Sequence, residues 1–366
     1  MFKYFFKKDF KRFFTEENSS NKCIRLSLSE NLWGPSSKAL YAIYKELKHV
    51  NLYPENSYQK LKDLIATKYN LSADQIFLGN GSAELIMLSA LALFKTESVG
   101  ITSTNTFVGF KFSIANIRGL CFEIPMSNFT IDTKMLILEA KKLIERNFYI
   151  SAIYVCNPNN PTGTVISENS IKTLIDFGKK HNIYLIFDEA YMEYASRDRT
   201  TTAIKFINYY NKILILRTFS KFYGLAGLRC GYLLSNKEVI QQLKRFQQNV
   251  VFNVNRFAYV AAFNSLLDRR YAIRTYNKNL KMKKILMCGL KKLSIEYVNS
   301  ETNFILIKIG KNYLDLYEFL TEHKVHVMPC DKFGLKEYIR VSVGRKQDIK
   351  HFLSLLKQYK QKMGNI

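Results

Sequence analysis

The chain contains the stretch Ile213-Leu214-Ile215-Leu216-Arg217-Thr218-Phe219-Ser220-Lys221, in which an apolar run leads directly into a lysine. Such a run predicts a buried strand with Lys221 just beyond its carboxyl end. The lysine amine can form a Schiff base with a carbonyl compound. The hydroxyls of Thr218 and Ser220, with the guanidinium of Arg229 after a glycine-rich turn, can hold a phosphate group. The same segment is also compatible with a solvated lysine at the end of an ordinary strand.

A second apolar run ends in a carboxylate, because Ile183-Tyr184-Leu185-Ile186-Phe187 is followed by Asp188-Glu189-Ala190-Tyr191. A carboxylate at a buried strand end is costly unless another group compensates its charge, although a helix N-cap is an ordinary alternative. Pyridoxal 5′-phosphate (PLP) is an aldehyde that carries a phosphate, and its protonated ring nitrogen is a suitable partner for Asp188. Tyr191 can donate to the ring oxygen beside the Schiff base. We therefore interpret Lys221, Asp188 and Tyr191 as catalytic residues.

A third apolar run, Ala152-Ile153-Tyr154-Val155-Cys156, precedes a segment with two prolines and a glycine, residues 157–163. This composition predicts a rigid turn, which would hold the Asn160 amide near the same ring oxygen. Each of the three segments alone fits an ordinary turn between a strand and a helix. Together, in this order and at three strand ends, they predict one PLP site.

These segments resemble the fold-type I PLP enzymes of the aminotransferase class I/II group, and within it the histidinol-phosphate aminotransferases. The resemblance extends from about residue 24 to residue 357 and includes Thr302-Asn303-Phe304 and the stretch 338–344. It implies an α/β fold, with a mostly parallel seven-stranded sheet in a large domain and a smaller α+β domain. We expect the large PLP-binding domain at 51–264, and the small domain with an N-terminal arm at 1–50 plus 265–366.

The pattern of the chain agrees with that fold class. Short apolar runs alternate with amphipathic segments between about residues 75 and 235, which is typical of a parallel sheet covered by helices on both faces. Downstream we expect one long helical stretch at 256–293. We expect strands at 296–298, 304–308 and 338–342, and a final helix at 347–361.

The resemblance implies further cofactor contacts. Backbone N–H groups of Gly81, Ser82 and Ala83, at the start of a predicted helix, would bind the cofactor phosphate. Phe107 matches the aromatic residue that stacks on the pyridine ring, although a core aromatic residue is the ordinary alternative. Tyr53 matches the tyrosine that reaches the cofactor phosphate of a neighbouring subunit, which implies a homodimer with a shared active site.

The resemblance also implies substrate contacts. Arg340 matches the arginine that binds the α-carboxylate of the amino-acid substrate, and Asn31 and Tyr53 are further candidates. Met328 stands where the family usually has an arginine that binds the substrate phosphate. We predict an aminotransferase that moves an amino group between glutamate/2-oxoglutarate and a small phosphorylated amine or oxo substrate. A PLP-dependent decarboxylase of a phosphorylated amino acid, resembling threonine-phosphate decarboxylase, is the alternative.

Composition limits the other function classes. The net charge of +25 comes from 55 Lys and Arg against 30 Asp and Glu, and we interpret it as a charged solvated surface. Residues 2–14 alternate aromatic and basic side chains, so an interfacial helix is an alternative there. No apolar run reaches membrane-spanning length, no signal peptide is expected, and no nucleic-acid motif occurs. Six scattered cysteines without metal-ligand spacing predict no metal site and a cytoplasmic location.

Overall fold

The computed structural model of the protein describes residues 23–363, except for residues 56, 197, 199 and 248–253. The segment 2–14, for which an interfacial helix was one interpretation, lies outside the described residues. The described strands are β1 (Ile24–Arg25), β2 (Ile76–Gly79), β3 (Val99–Ser103), β4 (Leu120–Ile124), β5 (Ile150–Cys156), β6 (Tyr184–Asp188), β7 (Ile213–Thr218), β8 (Gly231–Leu234), β9 (Phe304–Lys308), β10 (Val325–His326), β11 (Met328–Pro329) and β12 (Tyr338–Ser342).

The described α-helices follow the same order along the chain. They are α1 (Ser37–Glu46), α2 (Gln59–Tyr69), α3 (Ser82–Leu93), α4 (Gly109–Asn116), α5 (Thr133–Glu145), α6 (Glu168–His181), α7 (Lys237–Gln247), α8 (Arg256–Leu267), α9 (Arg269–Lys292), α10 (Tyr313–Glu322) and α11 (Lys346–Met363). Several begin at polar caps, because the Asp132, Ser167 and Asn255 side chains each accept a hydrogen bond from a backbone N–H in the first turn.

Seven strands form the larger sheet, in the order β2-β8-β7-β6-β5-β3-β4. Strands β3 to β7 are parallel, whereas β8 runs antiparallel to both β7 and β2. Every residue of β5, β6 and β7 is buried, which explains their near-continuous apolar sequences. Helices α3, α4 and α7 cover one face, and α2, α5, α6 and α8 cover the other. The predicted mostly parallel seven-stranded sheet is confirmed.

The smaller sheet is antiparallel and has the order β11-β12-β9, and β1 pairs in parallel with β10 beside it. The predicted strands at 304–308 and 338–342 are confirmed. The segment 296–298, predicted as a strand, pairs antiparallel with β9 through a single bridge between Tyr297 and Ile307 and does not extend into a full strand. The Val298 N–H donates to the Leu306 carbonyl at 2.9 Å, and the Lys308 N–H donates to the Glu296 carbonyl at 3.0 Å. The chain then turns at Ser300, whose hydroxyl accepts from the Thr302 N–H at 3.1 Å.

The expected continuous helix at 256–293 is two helices. The break is at Asp268, whose carboxylate accepts from the Tyr271 N–H at 3.1 Å and from the Ser36 hydroxyl at 2.6 Å. An aspartate that accepts from a backbone N–H starts a new helix rather than continuing the old one. This side-chain contact is made with a distant segment, so helical periodicity does not reveal it.

The N-terminal segment contacts both units. Helix α1 packs on α8, and Ala39 belongs to the apolar cluster of the larger sheet. Leu26 belongs to the apolar cluster of the smaller unit. The domain limits 51–264 and 1–50 plus 265–366 stay a prediction. None of the helices in the described ranges has the length and apolarity that a bilayer crossing requires.

Close packing of α4 on β3 generates a stability prediction. A Cβ on Gly100 would lie 2.5 Å from Ile114 Cγ1 and 3.0 Å from Phe110 Cζ, and both side chains are fully buried. We expect Gly100→Ala to lower the free energy of unfolding by about 1–3 kcal/mol, because the overpacked core has no space in which to relax. Urea unfolding followed by circular dichroism measures this change.

The matched control is Gly227→Ala, because a Cβ on Gly227 meets no atom within 4 Å. This control should stay within about 0.5 kcal/mol of the parent protein. Equal unfolding curves for the two variants would contradict the packing described for Gly100.

Candidate active site

Three neighbouring strands deliver the predicted site residues to one edge of the larger sheet. Strands β5, β6 and β7 are adjacent and parallel, so their carboxyl ends meet at the same edge. The register pairs Cys156 with Asp188, and Asp188 with Leu216. The Asn157 N–H donates to the Asp188 carbonyl at 2.9 Å, so the loop after β5 starts beside the end of β6. The site therefore lies at the carboxyl edge, where open α/β sheets commonly bind ligands.

Asp188 is buried, with 3% of its surface exposed. Its Oδ2 accepts from the Tyr154 hydroxyl at 2.8 Å, and its Oδ1 accepts from the Ala190 N–H at 3.1 Å. Burial raises the pKa of this carboxyl to about 6, against the lowering effect of these two hydrogen bonds. Near neutral pH the buried carboxylate is therefore largely charged, and its two hydrogen bonds offset only part of the cost of burying that charge. A cationic group on a ligand would offset the rest.

The Lys221 amine faces the segment that follows β1. Its Nζ donates to the Leu28 carbonyl at 2.9 Å and lies 5.6 Å from the centre of the Tyr191 ring. Burial lowers the pKa of this amine to about 8, and the nearby Arg340 cation acts in the same direction. A neutral amine is therefore accessible at a lower pH than for an ordinary lysine, which favours a nucleophile or a base.

The Arg340 guanidinium lies close to the Asn160 amide. Its Nη1 donates to Asn160 Oδ1, and its Nη2 donates to the Ser27 carbonyl at 2.6 Å. Arg340 is 4% exposed, and its buried Nε has no hydrogen-bond partner among the described residues. A guanidinium that is buried and incompletely hydrogen-bonded fits an anionic group that the protein alone does not supply.

The ring of Phe304 lies between two of these groups. It is 5.0 Å from the Arg340 guanidinium carbon and meets the Tyr191 ring edge-on at 5.1 Å between ring centres. Burial raises the pKa of the Tyr191 hydroxyl above its ordinary value, so this group stays a protonated hydrogen-bond donor. Arg340 and Tyr191 thus both contact Phe304, and the Lys221 amine lies over the Tyr191 ring.

The predicted phosphate residues form a second group beside Lys221. The Arg229 Nη1 donates to the Ser220 hydroxyl at 3.2 Å, and the Ser220 N–H donates to the Thr218 hydroxyl at 3.1 Å. The Arg229 Nη2 reaches the Asn80 carbonyl at 3.4 Å, which brings the guanidinium to the start of α3. The hydroxyls, the guanidinium and a helix N-terminus together suit a phosphate dianion.

Gly81 permits this close approach. It is the N-cap residue of α3 with φ +92°, and a Cβ at this position would lie 2.7 Å from Arg229 Nη2. Ser82 and Ala83 follow as the first two residues of the helix, where backbone N–H groups have no acceptor within the helix itself. Any side chain at position 81 would occupy the space where the arginine and the helix meet. Together with the Asp188 carboxylate and the Lys221 amine, this anion site fits PLP.

The remaining predicted residues lie in different environments. Phe107 is half-buried and packs against the apolar cluster formed with α3 and α4. Tyr53 is 76% exposed, and its carbonyl accepts from Arg256 Nη2 at 2.8 Å. Asn31 is buried, and its Nδ2 donates to the Phe222 carbonyl at 2.8 Å and to the Tyr271 hydroxyl at 2.9 Å. The functional roles assigned to these three residues stay predictions.

The sequence reasoning did not identify the contribution of Tyr154. This residue lies within the all-buried strand β5, and its ring stacks on Phe110 with 4.9 Å between ring centres. A buried tyrosine hydroxyl needs a hydrogen-bond partner, and Asp188 on the adjacent strand is that partner. The available signal was one phenol within the apolar run 152–156.

An ion-pair network on the opposite face of the sheet fixes the same strand ends. Arg217 Nη2 lies 2.6 Å from Glu189 Oε2, and Nη1 lies 2.9 Å from Glu193 Oε1. The Ala203 N–H also donates to Glu189 at 2.7 Å. Because side chains alternate along a strand, this network lies behind Asp188 and Thr218 rather than among them. It connects the end of β6 to the end of β7, which holds the two site-bearing loops in register.

Comparison with known proteins agrees with this geometry. A family model described as aminotransferase class I and II matches residues 21–356. The chain is 31% identical over 337 residues to the histidinol-phosphate aminotransferase of Caldicellulosiruptor saccharolyticus, covering 92% of each chain. It is 33% identical to histidinol-phosphate aminotransferase 2 of Carboxydothermus hydrogenoformans, over 91% of this chain and 90% of that one.

A solved structure shares the fold. The histidinol-phosphate aminotransferase of Sinorhizobium meliloti, determined in complex with pyridoxal-5′-phosphate, has a TM-score of 0.84 at 22% identity and covers 96% of this chain and 95% of that one. The fold and the site thus define a fold-type I PLP-dependent enzyme. The chain belongs to the aminotransferase class I and II family, and it is a PLP-dependent aminotransferase.

The hydrogen bond between Tyr154 and Asp188 generates a prediction on pH dependence. Tyr154→Phe keeps the stacked ring but removes the donor, so the pKa of Asp188 in the apo-protein should rise further above about 6. The carboxylate is charged above its pKa, so the PLP affinity that depends on this charge is lost as the pH falls. We expect the acid-side midpoint of PLP affinity to move to higher pH in Tyr154→Phe, as measured by absorbance titration at several pH values.

Tyr210→Phe is the matched control, because the buried Tyr210 hydroxyl donates to the Ile183 carbonyl at 2.9 Å, at the other end of β6. This control should keep the midpoint of the parent protein, and any titration of the PLP phosphate itself is common to all three proteins. An unchanged midpoint in Tyr154→Phe would show that the hydroxyl does not control the charge of Asp188.

Proposed function

We propose that this aminotransferase moves an amino group between glutamate/2-oxoglutarate and a small phosphorylated amine or oxo substrate, of the type used by histidinol-phosphate aminotransferases. The observation that carries the proposal is the convergence of the Lys221 amine and the buried Arg340 guanidinium beside Tyr191. An arginine fork in a site with an exchangeable amine suits an α-amino acid, which presents a carboxylate and an amino group together. Two similar proteins are named histidinol-phosphate aminotransferases, which supports a phosphorylated substrate.

Each residue has a proposed task. When bound, PLP supplies an aldehyde that the Lys221 amine can engage and a ring that accepts electrons from the substrate. Lys221 then takes and returns the proton at the substrate α-carbon, for which its lowered pKa of about 8 is suited. With PLP bound, Asp188 would hold a negative charge facing the ring nitrogen, and Tyr191 would donate a hydrogen bond to the ring oxygen. Arg340 orients the substrate by its carboxylate.

We propose two sets of cofactor contacts, one for the phosphate of PLP and one for the face of its ring. We assign the phosphate to Thr218, Ser220, Arg229 and the N–H groups of residues 81–83, and the ring face to Phe107. The Asn160 amide would lie near the ring oxygen of PLP.

The assembly and the location are also proposals. The exposed side of Tyr53 supports a homodimer in which this residue reaches the cofactor phosphate of the neighbouring subunit. All six cysteines are free thiols, which supports a reducing compartment, and we propose the cytoplasm.

A spectroscopic half-reaction tests the proposed function. PLP-loaded enzyme should convert to the pyridoxamine phosphate form when mixed with L-glutamate or histidinol phosphate, and 2-oxoglutarate should restore the original spectrum. Lys221→Ala should lower the rate of this conversion by at least about 10²–10⁴-fold, because the proton-transfer group is removed. Borohydride should attach PLP covalently to the parent protein but not to this variant.

The control substrate is O-phospho-L-threonine, which tests the decarboxylase alternative. Release of carbon dioxide without formation of pyridoxamine phosphate would favour a decarboxylase of a phosphorylated amino acid. Failure of L-glutamate to produce pyridoxamine phosphate would contradict the proposed amino donor.

A further inference from the structure

A cavity of about 190 Å³ lies between the segment that leads into α1 and the helix α9. Trp33 and Ser37 line it on one side, and Tyr271, Arg274 and Lys278 line it on the other. None of these five residues belongs to the proposed cofactor or substrate contacts. One water molecule needs about 10–15 Å³ of such volume, so the cavity can admit a phosphate group.

The spacing of the α9 residues gives the cavity a positive wall. Tyr271, Arg274 and Lys278 are three and four residues apart, so they lie on the same face of the helix. Two cations at this spacing repel each other, and α9 contains no acidic residue that could compensate their charge. An anion bound between the two cations would replace this repulsion with attraction.

The Asp268 carboxylate, just before α9, already has another partner. It accepts from the Ser36 hydroxyl at 2.6 Å. Burial acts to raise the pKa of Asp268, but hydrogen bonds and nearby cations, among them Arg274, together lower it. In the part of the chain that the structure describes, neither Arg274 nor Lys278 forms an ion pair, and no carboxylate lines the cavity. The cavity wall therefore carries a net positive charge.

The start of α1 adds neutral donors to this wall. Ser37 is the first residue of α1, where backbone N–H groups have no acceptor within the helix itself. The positive end of the helix dipole also favours an anion at this position. The helix start and the two cations face one cavity from different elements, and together they suit a phosphate dianion.

Tyr271 separates the cavity from the catalytic segment. Its hydroxyl lies 3.2 Å from the carbonyl oxygen of Phe222, the residue after Lys221, and 2.9 Å from the carbonyl oxygen of Gly34. Its side chain is buried and lines the cavity. An anion in the cavity can therefore bind while PLP is in place, as a ligand in addition to the reacting substrate.

We infer that this cavity is a second anion site, which binds the phosphate dianion of a small ligand through Arg274 and Lys278. Inorganic phosphate and a phosphate ester are both suitable, because each presents the same oxygens to the guanidinium and to the ammonium group. The site lies outside the catalytic centre, so binding there does not depend on which substrate the enzyme converts.

Trp33 provides a direct readout, because it is the only tryptophan of the chain and it lines the cavity. Inorganic phosphate is titrated into PLP-loaded enzyme at constant ionic strength and mildly alkaline pH, where phosphate is a dianion. We expect a saturable change in Trp33 fluorescence. The Kd should rise about 10-fold or more in Arg274→Gln, because charge-assisted hydrogen bonds are lost, and less in Lys278→Gln, because an ammonium group does not bind two oxygens as a fork.

Two further variants are matched controls. Arg270→Gln removes an exposed arginine of the same helix that does not line the cavity. Arg345→Gln removes an arginine from a neighbouring cavity, which is lined by Leu32 and Gly34, the residues on either side of Trp33. Both controls should keep the Kd of the parent protein. Phosphate should also raise the Tm of the parent protein and of both controls, and thermal unfolding without phosphate checks that each variant is folded.

Glycerol 3-phosphate, titrated in the same way, distinguishes the two sources of the phosphate group. Binding at least as tight as that of inorganic phosphate assigns the site to a phosphate ester, and weaker binding assigns it to the free ion.

Three results would overturn the inference. The first is the absence of a saturable response to either phosphate compound, and the second is an equal response to potassium chloride at the same ionic strength. The third is a folded Arg274→Gln variant that keeps the Kd of the parent protein, and a weakened response in Arg345→Gln would then place the anion in the neighbouring cavity. Conversion of L-glutamate tests the proposed function separately from all of these results.

Discussion

The burial of the Asp188 carboxylate is the constraint on which the site depends. At the end of β6 this group accepts hydrogen bonds from two donors within the described part of the chain, Tyr154 and Ala190, and burial raises its pKa to about 6. A folded protein that keeps such a carboxylate charged loses stability relative to one with an apolar side chain at this position. A bound cationic ring would recover part of that loss, because a ligand that binds only the folded state stabilises it. The same group thus links folding, cofactor affinity and electron withdrawal from the substrate.

Lys221, Arg340 and Arg217 are the positive groups near the site. Each has a different environment, and this difference gives each a different task. The Lys221 amine donates to the Leu28 backbone carbonyl and has a lowered pKa, so it can exchange a proton near neutral pH. Arg340 is held between aromatic rings and the Asn160 amide, which fixes its orientation. Arg217 is paired with two glutamates on the opposite face, so it acts on strand alignment. The amine is thus the group suited to proton transfer, and the guanidinium groups are suited to binding and alignment.

Local sequence patterns predicted most of the fold. The apolar runs became β5, β6 and β7, and the strands at 304–308 and 338–342 match their predicted limits. The errors arose where a distant contact decided the local structure. Asp268 divides the predicted long helix because it binds Ser36 and the Tyr271 N–H, and the segment 296–298 makes one bridge instead of a strand. Periodicity reports which face of an element is apolar, but it does not report such side-chain partners.

The sequence by itself determined the chemical groups of the site and their order, because an amine, a carboxylate and an amide each follow an apolar run that predicts a buried strand. The tertiary structure alone decided their electrostatics. Lys221 meets the Leu28 carbonyl, Arg340 meets Asn160, and Tyr154 meets Asp188 through contacts between separate segments. Strand register and the packing of the two units set these contacts, and a pKa depends on the groups that are near in space.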